Sequence, residues 1–452
     1  MNNRNRRKFL KLGCKTIVGA GLMSGSTARI AQAQSANSSD YRALVCIHLN
    51  GGNDGFNLLV PNTGAEYNEY ANGRGHLAIP ASDLLPLIPG SANSTSAGLH
   101  PLMADLIPLF EQGQLALMAN VGTLVEPTTP DDVRNNSVHL PEQLFSHHDQ
   151  SRQWQRLDPS HQWNSGWGGR VSDILAPQQA NANLAAISLD GNNDWMAGSE
   201  ASIFTIDRGG VEGYSGMENM TDDWQLPRRQ AFIQLLHENY SNAFERSYAQ
   251  LQQRALVLST NVGAALAKFG ELQTPVPAGN ELAEQLAMVA KLIAVKDEFR
   301  MTRQLFYVNM GGFDTHDNQL ADQPELFSKL SKALAFFQQA LVEINQFDNV
   351  TSFTSSDFGR SITSNGDGTD HGWGNHHMVM GGSVIGGDIY GQIPRIAVDG
   401  PDDARNGRIV PTTSVAQYAA TQLSWLGLND SEIDGMLPSL KNFENRNLGF
   451  MS

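Results

Sequence analysis

The feature that most limits the fold is a set of short apolar runs, each followed by glycine or polar residues and separated by helical stretches. The first is RALVCIHLN, residues 42–50, closed by Gly51-Gly52. Its mix of β-branched and apolar residues, with no polar alternation, predicts a strand covered on both faces. LALMANVG (115–122), LFYVNMGG (305–312) and VTSFTSS (350–356) repeat the pattern, and AAISLD (185–190) and HMVMGG (377–382) are shorter versions. Between them, residues 99–112 carry apolar positions at helical spacing. Leu326, Leu330, Leu334, Phe337, Leu341 and Ile344 form one apolar face at three- and four-residue steps. A helix is expected from Ser414 to Leu426, capped by Ser414 and stopped by Gly427. Residues 225–300 read as mainly helical, broken at Pro275 and Pro277. Strands alternating with helices predict an α/β fold: a doubly wound, mainly parallel central sheet with helices on both faces.

The first 33 residues obey different rules. They hold seven basic residues (Arg4, Arg6, Arg7, Lys8, Lys11, Lys15, Arg29) and no acid. Arg6-Arg7 before Lys8-Phe9-Leu10-Lys11, a weakly apolar stretch and Ala31-Gln32-Ala33 match a twin-arginine export signal with a small-x-small cleavage site. Cys14 precedes the apolar stretch and is no lipid-attachment site. The expected partner in export is the twin-arginine translocase, and the expected location is periplasmic or extracellular. Of 452 residues at a charge of −15, removal of this segment leaves 24 basic against 46 acidic residues, a charge of −22. That balance excludes a general nucleic-acid binder. Only Cys46 remains, so no internal disulfide forms. No other segment has the 18 consecutive apolar residues of a membrane span. Residues 34–452 are expected to form one large domain after a short polar linker at 34–40, with the helical stretch inside.

In parallel sheets, ligands gather at the carboxyl ends of strands. Asp54 follows the first strand (LNGGNDGFN), Asp314 the 305–312 strand (GGFDTHDNQ) and Asp357 the 350–356 strand (SSDFGR). His316 lies two residues past Asp314. Asp370, His371, His376 and His377 follow in GDGTDHGWGNHH, so four of the twelve histidines fall within 316–377. Carboxylates and imidazoles from separate strand ends can surround a divalent cation. Zn²⁺ and Mn²⁺ accept mixed Asp/His donors, whereas Ca²⁺ wants mostly oxygens. If His376-His377 begin a strand they face opposite ways, so at most one reaches a common site. Singly, each acid is equally an Asx turn or helix cap.

FSHHDQSRQWQ (145–155) is the second cluster. Ser146 precedes a plausible helix and reads either as an N-cap or as a nucleophile at a helix N-terminus, where amides favour phosphate or sulfate oxygens. His147 and His148 are acid/base or ligand candidates, or surface histidines. Arg360 reads as an oxyanion clamp or as a structural ion-pair partner. GWGGR (166–170) reads as a packing loop with Trp167 in the core.

Taken together, LNGGNDGFN, LHPLMADLIPLFEQGQLALMANVG, SHHDQSRQW, SGWGGR, FDTHDNQ, SSDFGR, GTDHGWGNHHMVMGG and GGDIYGQIP resemble the domain of unknown function 1501 family of exported bacterial proteins, in family order over nearly the whole chain after the signal. That family is similar to the alkaline phosphatase and sulfatase superfamily. The resemblance implies an alkaline phosphatase-like fold, metals at the strand ends and hydrolysis of phosphate or sulfate esters. By it, Asp54 resembles an acid of one metal site, Asp314 and His316 a closely spaced acid–histidine pair of the other, Asp357 the acid of a late acid–histidine pair, and His371 the final metal-binding histidine. Ser146 stands where a nucleophile would lie. Phe358 occupies the place of the histidine expected after Asp357, so that site lacks a ligand or borrows His376 or Asp370. No C-x-P-x-R signature occurs, which argues against formylglycine chemistry and leaves Cys46 as a buried strand residue. From the residues and the resemblance together, the candidate catalytic set is Ser146, His147 and Arg360, and the candidate metal set Asp54, Asp314, His316, Asp357, Asp370, His371 and His376. A different class also fits: a non-catalytic exported binding or assembly protein on a retired hydrolase fold.

Overall fold

Burial on both faces is what makes β1 (Arg42–Leu49) apolar along its whole length. Ala43, Val45, Ile47 and Leu49 enter one core while Leu44 and Cys46 enter the other. β2 (Leu115–Gly122) divides the same way, Leu115 and Leu117 against Ala116 and Met118. The computed structural model describes residues 40–91, 96–158, 163–211 and 225–452. Residues 1–33, where the export signal is expected, including Arg6-Arg7, Cys14 and Ala31-Gln32-Ala33, lie outside the described residues, as does most of the 34–40 segment expected to be a linker. Asp40–Ser452 form one compact unit.

Among the described residues, β1 and β2 are joined in one sheet by β3 (Ala186–Ser188), β4 (Phe204–Thr205), β5 (Arg303–Met310), β6 (Val350–Ser356), β7 (Asn375–Gly381), β8 (Ile389–Gly391) and β9 (Thr413–Ser414). The order is β8-β2-β7-β6-β1-β5-β3-β4, with β9 also on β2. All pairings are parallel except those of β7, which runs against both β2 and β6. The sheet is therefore mixed but mainly parallel. Register fixes the working edge: Leu49 pairs with Met310 on one side and Ser356 on the other, so β1, β5 and β6 end together. The residues just past those ends include Gly51, Asp314 and Asp357. β7 starts at the same edge because it is reversed, and its entry segment carries His371 there.

Helices cover both faces. α1 (His147–Arg156), α2 (Trp167–Leu175) and α6 (Val415–Leu426) pack on the face of Leu44 and Cys46, and α3 (Ala243–Phe269), α4 (Glu281–Ala294) and α5 (Gln319–Glu343) on the other. α5 buries Leu330, Leu334, Phe337 and Leu341, with Leu326 and Ile344 partly covered against the same core. α6 is capped as expected: Ser414 accepts from the Ala416 amide, and Gly427 ends it at φ 107°. Pro275 and Pro277 fall in the break between α3 and α4.

Three readings change. The 99–112 stretch is no single helix: strand Ala97–Leu99 leads into a 3-10 turn, Pro101–Leu106, and a short helix, Ile107–Glu111. Pro101 and Pro108 each lack an amide donor and are confined to helix starts. The 377–382 strand begins earlier, at Asn375. GWGGR opens α2 rather than forming a loop, and Trp167 is in the core. A Cβ on Gly169 would stand 2.1 Å from the Ala197 carbonyl oxygen, so the Gly-Gly pair lets that backbone lie against the helix. Cys46 is a free, buried thiol whose pKa burial pushes up to about 12. No helix among the described residues is long and apolar enough to cross a membrane.

Candidate metal centre

The carboxylate of Asp357, one residue past β6, organises the site. It is buried and accepts from the Gly51 amide at 3.2 Å, from His147 Nδ1 at 2.8 Å and from His48 Nε2 at 3.1 Å. His48 is held from behind by the Ser355 hydroxyl, 3.0 Å from its Nδ1. Burial by itself would raise the pKa of Asp357. The hydrogen bonds from His147 and His48, and their charge, outweigh it and hold the carboxyl well below its usual range. The same contact raises the pKa of His147 above the usual imidazole value.

With Nδ1 bonded to Asp357, His147 directs Nε2 away, and that buried atom has no hydrogen-bond partner among the described residues. It lies 3.4 Å from Asp314 Oδ1. His371 repeats the arrangement: its Nδ1 lies 2.6 Å from the Phe145 carbonyl oxygen, which only an N–H can satisfy. Its Nε2 is 2.7 Å from His316 Nε2. His316 in turn has Nδ1 3.5 Å from Asp370 Oδ1 and Nε2 3.2 Å from Asp314 Oδ1. Thus three imidazoles have Nδ1 facing an oxygen acceptor and Nε2 turned to one carboxylate. Donor atoms of His147, Asp314, His316 and His371 all lie within 4.8 Å of one another. An outer oxygen that fixes the tautomer of each imidazole is the usual support of metal-binding histidines. Three nitrogens and one oxygen suit Zn²⁺ or another first-row ion better than Ca²⁺. These donors, and the unpartnered Nε2 of His147, fit a divalent cation.

Phe358 follows Asp357 directly in the chain. Its ring centroid lies 4.7 Å from that of His147 and 4.5 Å from that of His371, so it packs against two of the imidazoles. Gly52, at φ 83°, makes room for it: a Cβ there would stand 2.3 Å from the ring. Asp314 is half-exposed. Its partial burial would raise its pKa, but the Arg360 hydrogen bond and the surrounding positive charge lower it. Burial lowers the pKa of His371, which favours the neutral ring that a metal needs.

Of the sequence candidates, Asp314, His316 and His371 come together, joined by His147, which the sequence leaves open as an acid/base, ligand or surface histidine. Asp370 and Asp357 sit behind them, each facing an imidazole Nδ1. Asp54 does not reach the cluster. It is buried in an ion pair with Arg74, which also donates to the Ser361 and Ile362 carbonyls, and it accepts from Gln319 Nε2 at 2.5 Å. His376 is also elsewhere, fully buried, with Nδ1 accepting from the Asn120 amide at 3.1 Å and its pKa pushed by burial to about 3. Ser146 caps α1 by accepting from the Asp149 amide, and its hydroxyl donates to Asp149 Oδ2 at 2.8 Å. Arg360 is fully buried and all three of its nitrogens donate to the protein. They reach the carbonyls of Gly51, Gly52, Phe313 and Thr369, and Asp314 Oδ1. Sequence reading missed His48 and Arg74. His48 had a faint signal, an imidazole in an otherwise apolar strand. Arg74 ends a polar helix, Gly64–Arg74, and had none.

A mainly parallel α/β sheet with a His/Asp cluster beyond its strand ends defines an α/β protein with a candidate metal centre. Residues 41–433 match the family described as "Protein of unknown function (DUF1501)", and the chain belongs to that family. No curated protein matches it in sequence. Among solved structures it is similar to the PsFucS1 sulfatase from Pseudoalteromonas sp., with 9% identity and TM-score 0.34, over 89% of this chain and 70% of that one. It is also similar to the lipoteichoic acid synthase LtaP from Listeria monocytogenes (8%, TM-score 0.34, 87% and 74%). A third is the soluble domain of lipooligosaccharide phosphoethanolamine transferase A from Neisseria meningitidis (9%, TM-score 0.35, 89% and 94%).

Proposed function

We propose that this chain is an exported, metal-dependent hydrolase of phosphate or sulfate esters, acting in the periplasm or outside the cell. The observation that carries the reading is the convergence of three Nε2 atoms on Asp314, each imidazole backed by an oxygen at Nδ1. His147, Asp314, His316 and His371 would hold the divalent ion, which when bound would supply Lewis-acid polarisation of the ester and neutralise charge developing on it. Asp357, Asp370 and the Phe145 carbonyl keep the ligand rings in place. Ser146 is the nucleophile candidate, adjacent in sequence to His147 at the start of α1. Its hydroxyl donates to Asp149 Oδ2, which would take the proton as Oγ bonds to the phosphorus or sulfur and the ester bond breaks to release the alcohol; water would then free Ser146. Purified residues 34–452 should bind a stoichiometric divalent metal and turn over an aryl phosphate, phosphodiester or sulfate. Asp314→Ala and His371→Ala should remove both properties. A protein with neither metal nor turnover defeats the proposal.

A second reading, a binding or assembly protein on a retired hydrolase fold, draws on Asp54. Its pairing with Arg74 puts a fixed guanidinium where the resemblance expects a second cation. That reading predicts metal binding without turnover, and capture of a periplasmic partner unaffected by Ser146→Ala.

A further inference from the structure

The proposed reaction needs a group that holds the anionic end of the ester, and Arg360 has its nitrogens committed elsewhere. A second arginine flanks the centre. Arg408 donates from Nε to the His371 carbonyl at 3.1 Å, and its guanidinium lies over the Phe145 ring, 4.1 Å from the centroid. Phe145 is the residue whose carbonyl holds His371 Nδ1. Both anchors of Arg408 therefore belong to the support of one proposed metal ligand. Its own backbone is pinned, with the amide on the Arg405 carbonyl and the carbonyl accepting from the Ala404 amide. Among the described residues its two terminal nitrogens have no hydrogen-bond partner and no carboxylate. A half-buried guanidinium stacked on a ring, fixed by Nε and with its Nη pair free, presents a planar fork for two oxygens of a tetrahedral anion.

We infer that Arg408 is the substrate-binding residue that grips the phosphoryl or sulfuryl oxygens beside the proposed metal centre. The inference rests on the hydrolase reading for the metal and adds that the substrate class is anionic. The site takes esters that present two unsubstituted oxygens to Arg408, and it holds neutral esters poorly.

The test is calorimetric binding of inorganic phosphate and, in a separate arm, inorganic sulfate to residues 34–452 loaded with Zn²⁺. Wild type should bind at least one anion. Arg408→Met keeps an apolar stem against Phe145 and should weaken that binding by roughly tenfold or more, the effect of losing a charge-assisted fork. Arg408→Lys should fall between the two. Zn²⁺ content should be unchanged in both variants, which separates anion binding from damage to His371. The inference is overturned if the loaded wild type binds neither anion, or if Arg408→Met binds as wild type does. Failure of the hydrolase reading looks different: either Zn²⁺ is taken up and no ester is turned over while anion binding stays Arg408-dependent, or Zn²⁺ is never taken up. Arg408-dependent anion binding by such a metal-free protein would leave the present inference standing alone.

Discussion

Replacing Asp357 with Asn leaves the shape of the site and removes the charge that organises it. The carboxylate accepts from Gly51, His147 and His48. An amide oxygen in the Oδ2 position keeps the first two partners, and its NH₂ then faces His48. His48 can answer by moving its proton to Nδ1, because the Ser355 hydroxyl also accepts. Geometry thus survives and the charge assistance is lost. A hydrogen bond to a charged group contributes about 1 kcal/mol more than a neutral one. Two imidazole bonds make the cost about 2 kcal/mol, or a fall of a few °C in Tm. Metal affinity should fall by about 10–100-fold, since a neutral amide oxygen behind His147 Nδ1 leaves the ring a weaker ligand than the carboxylate does. A distinct pH signature follows in metal-free protein. The pKa of His147 is raised in the fold, so its contribution is complete below about pH 6.5 and is lost as pH rises through the higher folded value. The pKa of Asp357 is depressed, so its contribution is present above about pH 3.8 and is lost only in stronger acid. Wild type should therefore lose stability as pH climbs past 6.5, and Asp357→Asn should lack that segment of the profile. Thermal melts across pH with a chelator, and metal competition without it, read both effects. An Asn variant with wild-type metal affinity and an unchanged profile would refute the arrangement.

Other substitutions separate the centre from its surroundings. Gly52→Ala puts a methyl group 2.3 Å from the Phe358 ring at a positive φ and should cost about 2–6 kcal/mol in a thermal or urea melt; a Tm within about 1 °C of wild type would show that the ring is not held there. Ser146→Ala removes the α1 cap, worth about 1 kcal/mol, and should abolish turnover with metal retained; turnover within twofold of wild type excludes Ser146 as nucleophile. His376→Leu strands the buried Asn120 amide at about 1–3 kcal/mol but should leave metal content unchanged, and metal loss by this variant would place His376 in the centre after all.

The sheet was legible because burial on both faces leaves strands apolar throughout, so β1, β2, β5 and β6 stand out from the helices between them. α5 showed through its repeated apolar face. The 99–112 region misled because its apolar spacing is helical while Pro101 and Pro108 divide it. Within the site, Asp314, His316 and His371 were readable from their position past strand ends. The grouping was less so. His147 joins them because Asp357 reaches from β6 to the start of α1, a pairing across 210 residues with no local trace. Asp54 follows the same strand-end rule and fails to join because Arg74 neutralises it, and nothing in the polar helix of Arg74 announces that partner.

The central claim is that His147, Asp314, His316 and His371 hold one divalent ion. Elemental analysis of residues 34–452, after loading with Zn²⁺ or Mn²⁺ and desalting, tests it most directly against a folded His316→Ala/His371→Ala double variant. The account predicts one equivalent per chain in wild type and none in the variant. A wild type that retains no stoichiometric metal, or a double variant that retains it in full, would contradict it.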